Sequence, residues 1–435
     1  MLDRKICREL EKWKKSESKK ALIIQGARQV GKTYAVRMFA KEKYDELLEI
    51  NFKEMPSASE IFAGDLSVEK MIMSLRFRYP DKKIDPEKTL IFFDEIQECP
   101  EAITSLKFWT MNGRYNVIAS GSMLGIDYKR ASSFPVGYVE YIQMYGLDLE
   151  EFCDALGYTG DLTGTLRERF EKVEPVPEAV HSSMMTCLRQ YAAIGGMPEV
   201  VQKYLETRDF REVDRIQKEL LRGYQYDIAH YANAEEKVKA EKCFLSLGKQ
   251  LLDKENHKFQ YKEVEHGGRA QKYYSSMEWL LRADIIRLCK VVTDVRYDLD
   301  DYARNDFFRA YTGDISLLLP MKDFALKKNI VENTLSGNTK GGIYECVAAD
   351  ILIKKSYPLY YYKNETTRRE IDFLIQKDGN ILPLEIKGGR NRATSLNYLM
   401  RAHPEIPLAY KLSDSNLGRN DDRIITIPFY MGMFL

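Results

Sequence analysis

The chain has 435 residues, of which 44% are apolar and 30% charged, and its net charge is +1. That length exceeds what one hydrophobic core organises, so several domains are expected. Near-neutrality excludes a global pull toward nucleic acid or an anionic membrane, and the absence of any apolar run near ~20 residues excludes membrane insertion through a helix of that kind.

Residues 1 to about 18 read as a charged amphipathic helix, with Ile6, Leu10 and Trp13 at helical spacing. The start, Met1-Leu2-Asp3-Arg4-Lys5, lacks the apolar core of a signal segment. Ala21-Leu22-Ile23-Ile24 suits a short buried strand, and Thr33 to Lys43 reads as a helix. Between them, Gly26-Ala27-Arg28-Gln29-Val30-Gly31-Lys32-Thr33 satisfies G-x-x-x-x-G-K-[ST] at every fixed position. Such a loop is an anion cradle. Glycines let backbone N–H groups turn inward, the helix N-terminus adds positive potential, Lys32 reaches the outer phosphates and Thr33 ligates Mg²⁺. The expected nucleotide contacts run from Gly26 through Thr33 to Tyr34; the plainer alternative is an ordinary Gly-rich strand-to-helix turn.

Glu46 to Phe52 reads as a second strand, and Ser57 to about Tyr79 as a mixed helical segment. Thr89-Leu90-Ile91-Phe92-Phe93-Asp94-Glu95 has the form of a buried parallel strand that delivers two acids at its C-terminal edge. Asp94 is expected to hold Mg²⁺ and Glu95 to polarise the attacking water. A fourth strand, Tyr115 to Ala119, ends in Ser120-Gly121-Ser122, and Ser120 is a candidate contact for the γ-phosphate if this strand lies between the first and third. Val139 to Tyr145 is a fifth strand candidate, followed by the acidic turn Asp148 to Glu151. Strand and helix alternate over residues 1–150, which predicts a parallel α/β sheet with its site at the strand C-termini.

Residues 151–235 are helical by pattern, and Gly195-Gly196-Met197-Pro198 marks a helix stop and restart. This segment is expected to be a lid. From 236 to 320 the sequence suggests short helices and a strand hairpin, the outline of a winged helix. Arg269, Gln271, Lys272, Ser275 and Ser276 there are candidate DNA contacts, although such modules also serve only for packing. In residues 321–435, Glu345 lies on a helix and Leu359 to Lys363 forms a strand. Glu370 to Gln376 and Ile381 to Lys387 are paired through the turn Lys377-Asp378-Gly379-Asn380. Asp372 and Glu385 are expected to converge on a metal, with Lys387 polarising a water for phosphodiester attack and Glu345 approaching from the helix. The set resembles the PD-(D/E)XK nuclease-like fold. An exposed Glu385–Lys387 strand pair remains the simpler alternative.

Seven cysteines stand singly at 7, 99, 153, 187, 243, 289 and 346, and five histidines show no ligand spacing. A reducing, cytoplasmic setting is expected, with neither a disulfide framework nor a zinc site.

The combination of Gly-Ala-Arg-Gln-Val-Gly-Lys-Thr, Phe-Phe-Asp-Glu-Ile-Gln (92–97) and Ala-Ser-Gly-Ser (119–122) resembles the bacterial and archaeal AAA+-type ATPases, in which an ATPase core precedes a C-terminal domain of unknown function. Further matching segments are Gly195 to Val200, Lys258 to Tyr261, Gly341 to Glu345, Glu370 to Phe373 and Glu385 to Lys387. The resemblance implies ATP binding with Mg²⁺ and hydrolysis. One position departs from it: relatives carry a Gly-Arg pair where this chain has Gly137-Tyr138, leaving Arg130 as a nearby substitute for an arginine finger. The expected function is an ATPase whose nucleotide state controls a C-terminal nucleic-acid-binding or nuclease-like domain. The alternative is an ATP-dependent switch that recruits a protein partner without cleaving nucleic acid.

Overall fold

The computed structural model describes residues 2–17, 19–121, 135–231, 236–252, 258–388 and 393–435. They divide into two units, Asp3–Tyr145 and Gly146–Leu435. No helix among the described residues is long and apolar enough to cross a membrane.

In the first unit, β1 (Ala21–Gln25), β2 (Glu46–Asn51), β3 (Thr89–Asp94), β4 (Asn116–Gly121) and β5 (Val139–Gln143) form a sheet in the order β2-β3-β4-β1-β5. All its described pairings are parallel. This is the sheet of a P-loop nucleotide-binding fold, and β4 lies between β3 and β1. The central strands are apolar on both faces because helices cover both. Those helices are α1 (Ile6–Lys15), α2 (Lys32–Lys43), α3 (Val68–Arg78) and α4 (Pro100–Asn112). Phe52, Phe62, Phe93 and Trp109 form the aromatic centre of one core layer, with the Phe62 and Phe93 rings edge-on at 5.3 Å.

Helix α1 buries Ile6, Leu10 and Trp13, as their spacing predicts. The mixed segment from Ser57 breaks into a 3-10 turn over Pro56–Phe62 and then α3. Gly64 adopts φ 78°, and Asp65 accepts from the Ser67 N–H at 3.0 Å, which stabilises the turn between them.

The second unit opens on α5 (Leu149–Ala155). The expected acidic turn is its cap: Glu151 N–H donates to Asp148 at 2.8 Å and Asp148 N–H to Glu151 at 3.0 Å, a reciprocal capping box. Helices α6 (Gly160–Lys172), α7 (Glu178–Ile194), α8 (Pro198–Thr207) and α9 (Phe210–Tyr231) follow. They lead to α10 (Glu236–Gln250), α11 (Tyr261–Val264) and α12 (Ala270–Arg282). The strands are β6 (Ile286–Val292), β7 (Ala303–Thr312), β8 (Leu359–Lys363), β9 (Glu370–Lys377), β10 (Asn380–Lys387), β11 (Ala409–Ser413), β12 (Gly418–Arg419) and β13 (Ile424–Pro428). Three more helices, α13 (Phe324–Val331), α14 (Gly337–Lys354) and α15 (Thr394–Ala402), complete it.

The β6–β7 hairpin, expected to be the wing of a separate 236–320 module, continues into the C-terminal sheet. β6 pairs with β8 in parallel, and the order is β12-β13-β11-β10-β9-β8-β6-β7. The physical reason is backbone satisfaction: with Cys289, Val291 and Val292 buried, the N–H and C=O groups on the edge of β6 away from β7 lie inside the unit and need a partner strand. The β9–β10 hairpin turns at Asp378 (φ 49°) and Gly379 (φ 77°), with Lys377 opposite Asn380.

Candidate nucleotide site

The phosphate loop joins β1 to α2, and two glycines set its shape. A Cβ at Gly26 would lie 2.1 Å from the Met144 carbonyl oxygen, so the first fixed position accepts no side chain. Gly31, at φ 95°, turns the chain into α2. Val30 anchors the loop in the core at 2% exposure. Arg28 is partly buried, Gln29 and Tyr34 are exposed, and Ala35 N–H closes the first turn of α2 on Gly31 at 2.9 Å. Lys32 is buried; its Nζ donates to the carbonyls of Gly26 at 3.0 Å and Ala27 at 2.8 Å, which holds the ammonium inside the loop.

Asp94, at the C-terminal end of β3, is the hub of the site. Its Oδ2 accepts from Thr33 Oγ1 at 2.9 Å and from Asn51 Nδ2 at 3.1 Å. Its Oδ1 accepts from the Ser120 hydroxyl and from the Glu95 N–H. Parallel register causes this convergence. Asn51 is the β2 rung opposite Asp94, and β4 brings Ser120 alongside β3. Glu95 has φ 53°, a left-handed conformation unusual for its type, and its Oε2 accepts from Gln97 Nε2 at 2.5 Å.

The donor set fits Mg²⁺. A threonine hydroxyl and a carboxylate oxygen 2.9 Å apart at a helix N-terminus are hard oxygen ligands beside a phosphate cradle. Bound there, the ion would neutralise phosphate charge. Ser122 and Arg130 lie outside the described residues.

Three residues of this site escaped the sequence reading: Asn51, Gln97 and Arg4. Arg4 is buried and donates to the Val30 carbonyl at 3.0 Å and the Tyr145 carbonyl at 2.7 Å, tying the loop to the end of β5. Asn51 is the polar end of β2, and only the β2–β3 register places it opposite Asp94. Nothing in the sequence marks Arg4.

In the second unit, Asp372 and Glu385 follow the rung that pairs Phe373 with Leu384. Asp372 Oδ2 accepts from the Ile386 N–H at 2.7 Å. Glu385 accepts from the Leu396 N–H at 3.1 Å and pairs with Lys387 at 2.9 Å. Burial pushes the Glu385 carboxyl above its ordinary range, although Lys387 opposes the shift. Glu345 on α14 does not join them at an open position. It pairs instead with Arg309 of β7 at 3.1 Å and accepts from the Tyr311 hydroxyl at 2.6 Å. Among the described residues no group of three or more His, Cys, Asp or Glu side chains is arranged to hold a metal ion. Arg309 also escaped the sequence reading, though an arginine inside Phe307-Phe308-Arg309-Ala310-Tyr311 is itself a signal.

Residues 18–153 match the family model described as an AAA domain. Residues 185–328 and 340–430 match two domains of unknown function, DUF8612 and DUF4143. The N-terminal region is thus an AAA-type P-loop domain. No curated protein matches the chain significantly. Among solved structures, ORC1 of Aeropyrum pernix in complex with DNA is similar at 14% identity and a TM-score of 0.25, over 76% of this chain and 91% of that one. AMPPCP-bound DnaA of Aquifex aeolicus is similar at 11% identity and a TM-score of 0.29, over 63% and 85%. The Hsp104–ADP complex of S. cerevisiae is similar at 12% identity and a TM-score of 0.31, over 82% and 44%.

Proposed function

We propose that the protein binds ATP with Mg²⁺, hydrolyses it, and uses its nucleotide state to control the Gly146–Leu435 unit. The observation that carries this reading is the Thr33–Asp94 contact at 2.9 Å beside the buried Lys32. In it Lys32 and the loop N–H groups hold the β- and γ-phosphates, and Thr33 and Asp94 hold the ion. Glu95 orients the attacking water, and Ser120 fixes Asp94 from the adjacent strand. The test is phosphate release with and without DNA, on wild type and Glu95→Gln. Turnover that Glu95→Gln leaves intact sinks the hydrolytic reading, and DNA stimulation that vanishes in the variant links the two units.

A second reading, in which the C-terminal unit recruits a partner without cleaving nucleic acid, draws support from charge pairing. Of the expected DNA face, Lys272 is matched with Glu265 at 3.0 Å, and outside that face Arg282 pairs with Glu278 at 2.6 Å and Arg304 with Asp306 at 3.0 Å. Self-paired cations release few counterions on meeting a phosphate backbone. A DNA affinity that falls steeply between 50 and 200 mM salt counts against this second reading.

A further inference from the structure

Arg309 is 1% exposed and sits among three carboxylates. Its Nη1 lies 3.1 Å from Glu345 Oε1 and 3.7 Å from Asp372 Oδ1, and its Nη2 lies 3.1 Å from Glu370 Oε2. Nη1 also faces the Asp372 backbone carbonyl at 3.5 Å. The guanidinium lies over the Tyr361 ring, 4.3 Å from its centroid. A planar guanidinium is always charged and is less strongly hydrated than an ammonium, which makes it the cation best suited to burial.

In the Asp372–Glu385–Lys387 set three carboxylate oxygens have partners within 3.1 Å, and the fourth, Asp372 Oδ1, faces the Arg309 guanidinium at 3.7 Å. Asp372 Oδ2 takes the Ile386 N–H and Oδ1 faces Arg309. Glu385 Oε2 takes the Leu396 N–H and Oε1 takes Lys387. Glu370, the outermost acid, is also paired with Lys363. Three cations, Arg309, Lys363 and Lys387, therefore face four carboxylates. Mg²⁺ requires near-octahedral oxygen at about 2.0–2.1 Å. Asp372 and Glu385, engaged by backbone N–H groups and cationic side chains, do not supply it.

We propose that Arg309 stands where a divalent cation would, as a built-in counter-ion, and that the Asp372–Glu385–Lys387 set is a metal-free structural site, not a phosphodiesterase. The assignment is independent of the ATP site. A guanidinium can hold the three carboxylates together but has no exchangeable position for a water, so the route to a metal-activated nucleophile is closed.

Mn²⁺ binding to the full chain without nucleotide, followed by electron paramagnetic resonance, tests this. Wild type and Asp372→Asn are expected to take up the same number of Mn²⁺ ions. Loss of one ion in Asp372→Asn overturns the proposal. Arg309→Met, checked for folding by circular dichroism, is expected to gain one Mn²⁺ ion; a folded variant that gains none overturns it. If Arg309→Met does not fold, the comparison with Asp372→Asn decides. Supercoiled plasmid incubated with Mg²⁺ or Mn²⁺ is expected to survive equally with wild type and Lys387→Ala. Cleavage by wild type that Lys387→Ala abolishes overturns the proposal.

Discussion

Gln97 donates from Nε2 to Glu95 Oε2 at 2.5 Å, across a turn in which Glu95 is held at φ 53°. Gly121 leaves room for that amide, since a Cβ there would lie 2.6 Å from Gln97 Oε1. Gln97 therefore fixes the carboxylate that the proposed mechanism assigns to the attacking water, and both residues bear on kcat. Glu95→Gln is expected to slow hydrolysis by about 10²–10⁴-fold with ATP binding retained, the usual scale for a general base. Gln97→Ala is expected to lower kcat by about 10- to 100-fold with little change in KM, because it misplaces the carboxylate without removing it. Steady-state phosphate release beside fluorescent-nucleotide binding measures both. A Gln97→Ala enzyme with unchanged kcat rules out the positioning role.

The nucleotide half was more legible than the C-terminal half, and the reason is spacing. Gly26 to Thr33 are contiguous, and Asp94 ends a six-residue apolar strand, so local sequence carries the signal. Ser120 and Asn51 reach Asp94 through sheet register, which becomes visible only once the strand order β2-β3-β4 is known. In the C-terminal unit, Glu345, Asp372, Glu385 and Lys387 were each found on their predicted elements. What their spacing could not reveal was Arg309, which is 36 residues before Glu345 and 63 before Asp372. The same long-range pairing carries β6 and β7 into the final sheet, against a local helix–strand pattern that suggested a separate module.

Gly26 offers a test of the loop that is separate from chemistry. Alanine there would put a methyl 2.1 Å from the Met144 carbonyl oxygen, and backbone cannot rotate away as a side chain can. Gly26→Ala is expected to destabilise the first unit by about 1–3 kcal/mol, as overpacking does, and to weaken ATP binding. Denaturant unfolding and nucleotide titration check it; a variant with wild-type values in both contradicts the close approach.

Thiol reactivity follows from burial. Cys7 is partly exposed, while the other six cysteines are buried. Burial pushes the Cys99 thiol up to about 11 and the Cys243 thiol up to about 12, which suppresses the reactive thiolate. Maleimide labelling of the native chain is expected to show one fast-reacting thiol, lost in Cys7→Ser, with the rest reacting only after denaturation.

Lys354 neutralises a buried pair of acids and is expected to dominate the stability of the second unit. Its Nζ lies 2.6 Å from Asp314 and 3.0 Å from Asp350, with all three side chains at 2% exposure or less. It also donates to the Leu147 carbonyl at 3.1 Å and to Tyr191 at 2.8 Å. Removing one partner of a buried pair leaves charge uncompensated, so Lys354→Met is expected to cost about 3–5 kcal/mol. Asp350→Asn in that background removes one stranded carboxylate and is expected to recover part of the loss. A double variant no more stable than Lys354→Met disproves the coupling.

Asp350 also gives the second unit a pH dependence with a definite sign. Burial, reinforced by the charge of Asp314, pushes its carboxyl up to about 6 from an ordinary 3.8, even though Lys354 opposes the shift. The native state therefore binds this proton more tightly than the unfolded chain does. The stability it contributes is full below about 3.8 and is lost as pH rises through about 6. Many exposed acids titrate in the opposite sense, so the readout is the difference between wild type and Asp350→Asn, which lacks the titration. The stability of wild type relative to Asp350→Asn is expected to decrease as pH rises from about 4 to about 6 and then to level off. Urea unfolding at half-unit pH steps measures it. A difference that stays flat or grows across that window shows that Lys354 holds Asp350 ionised throughout.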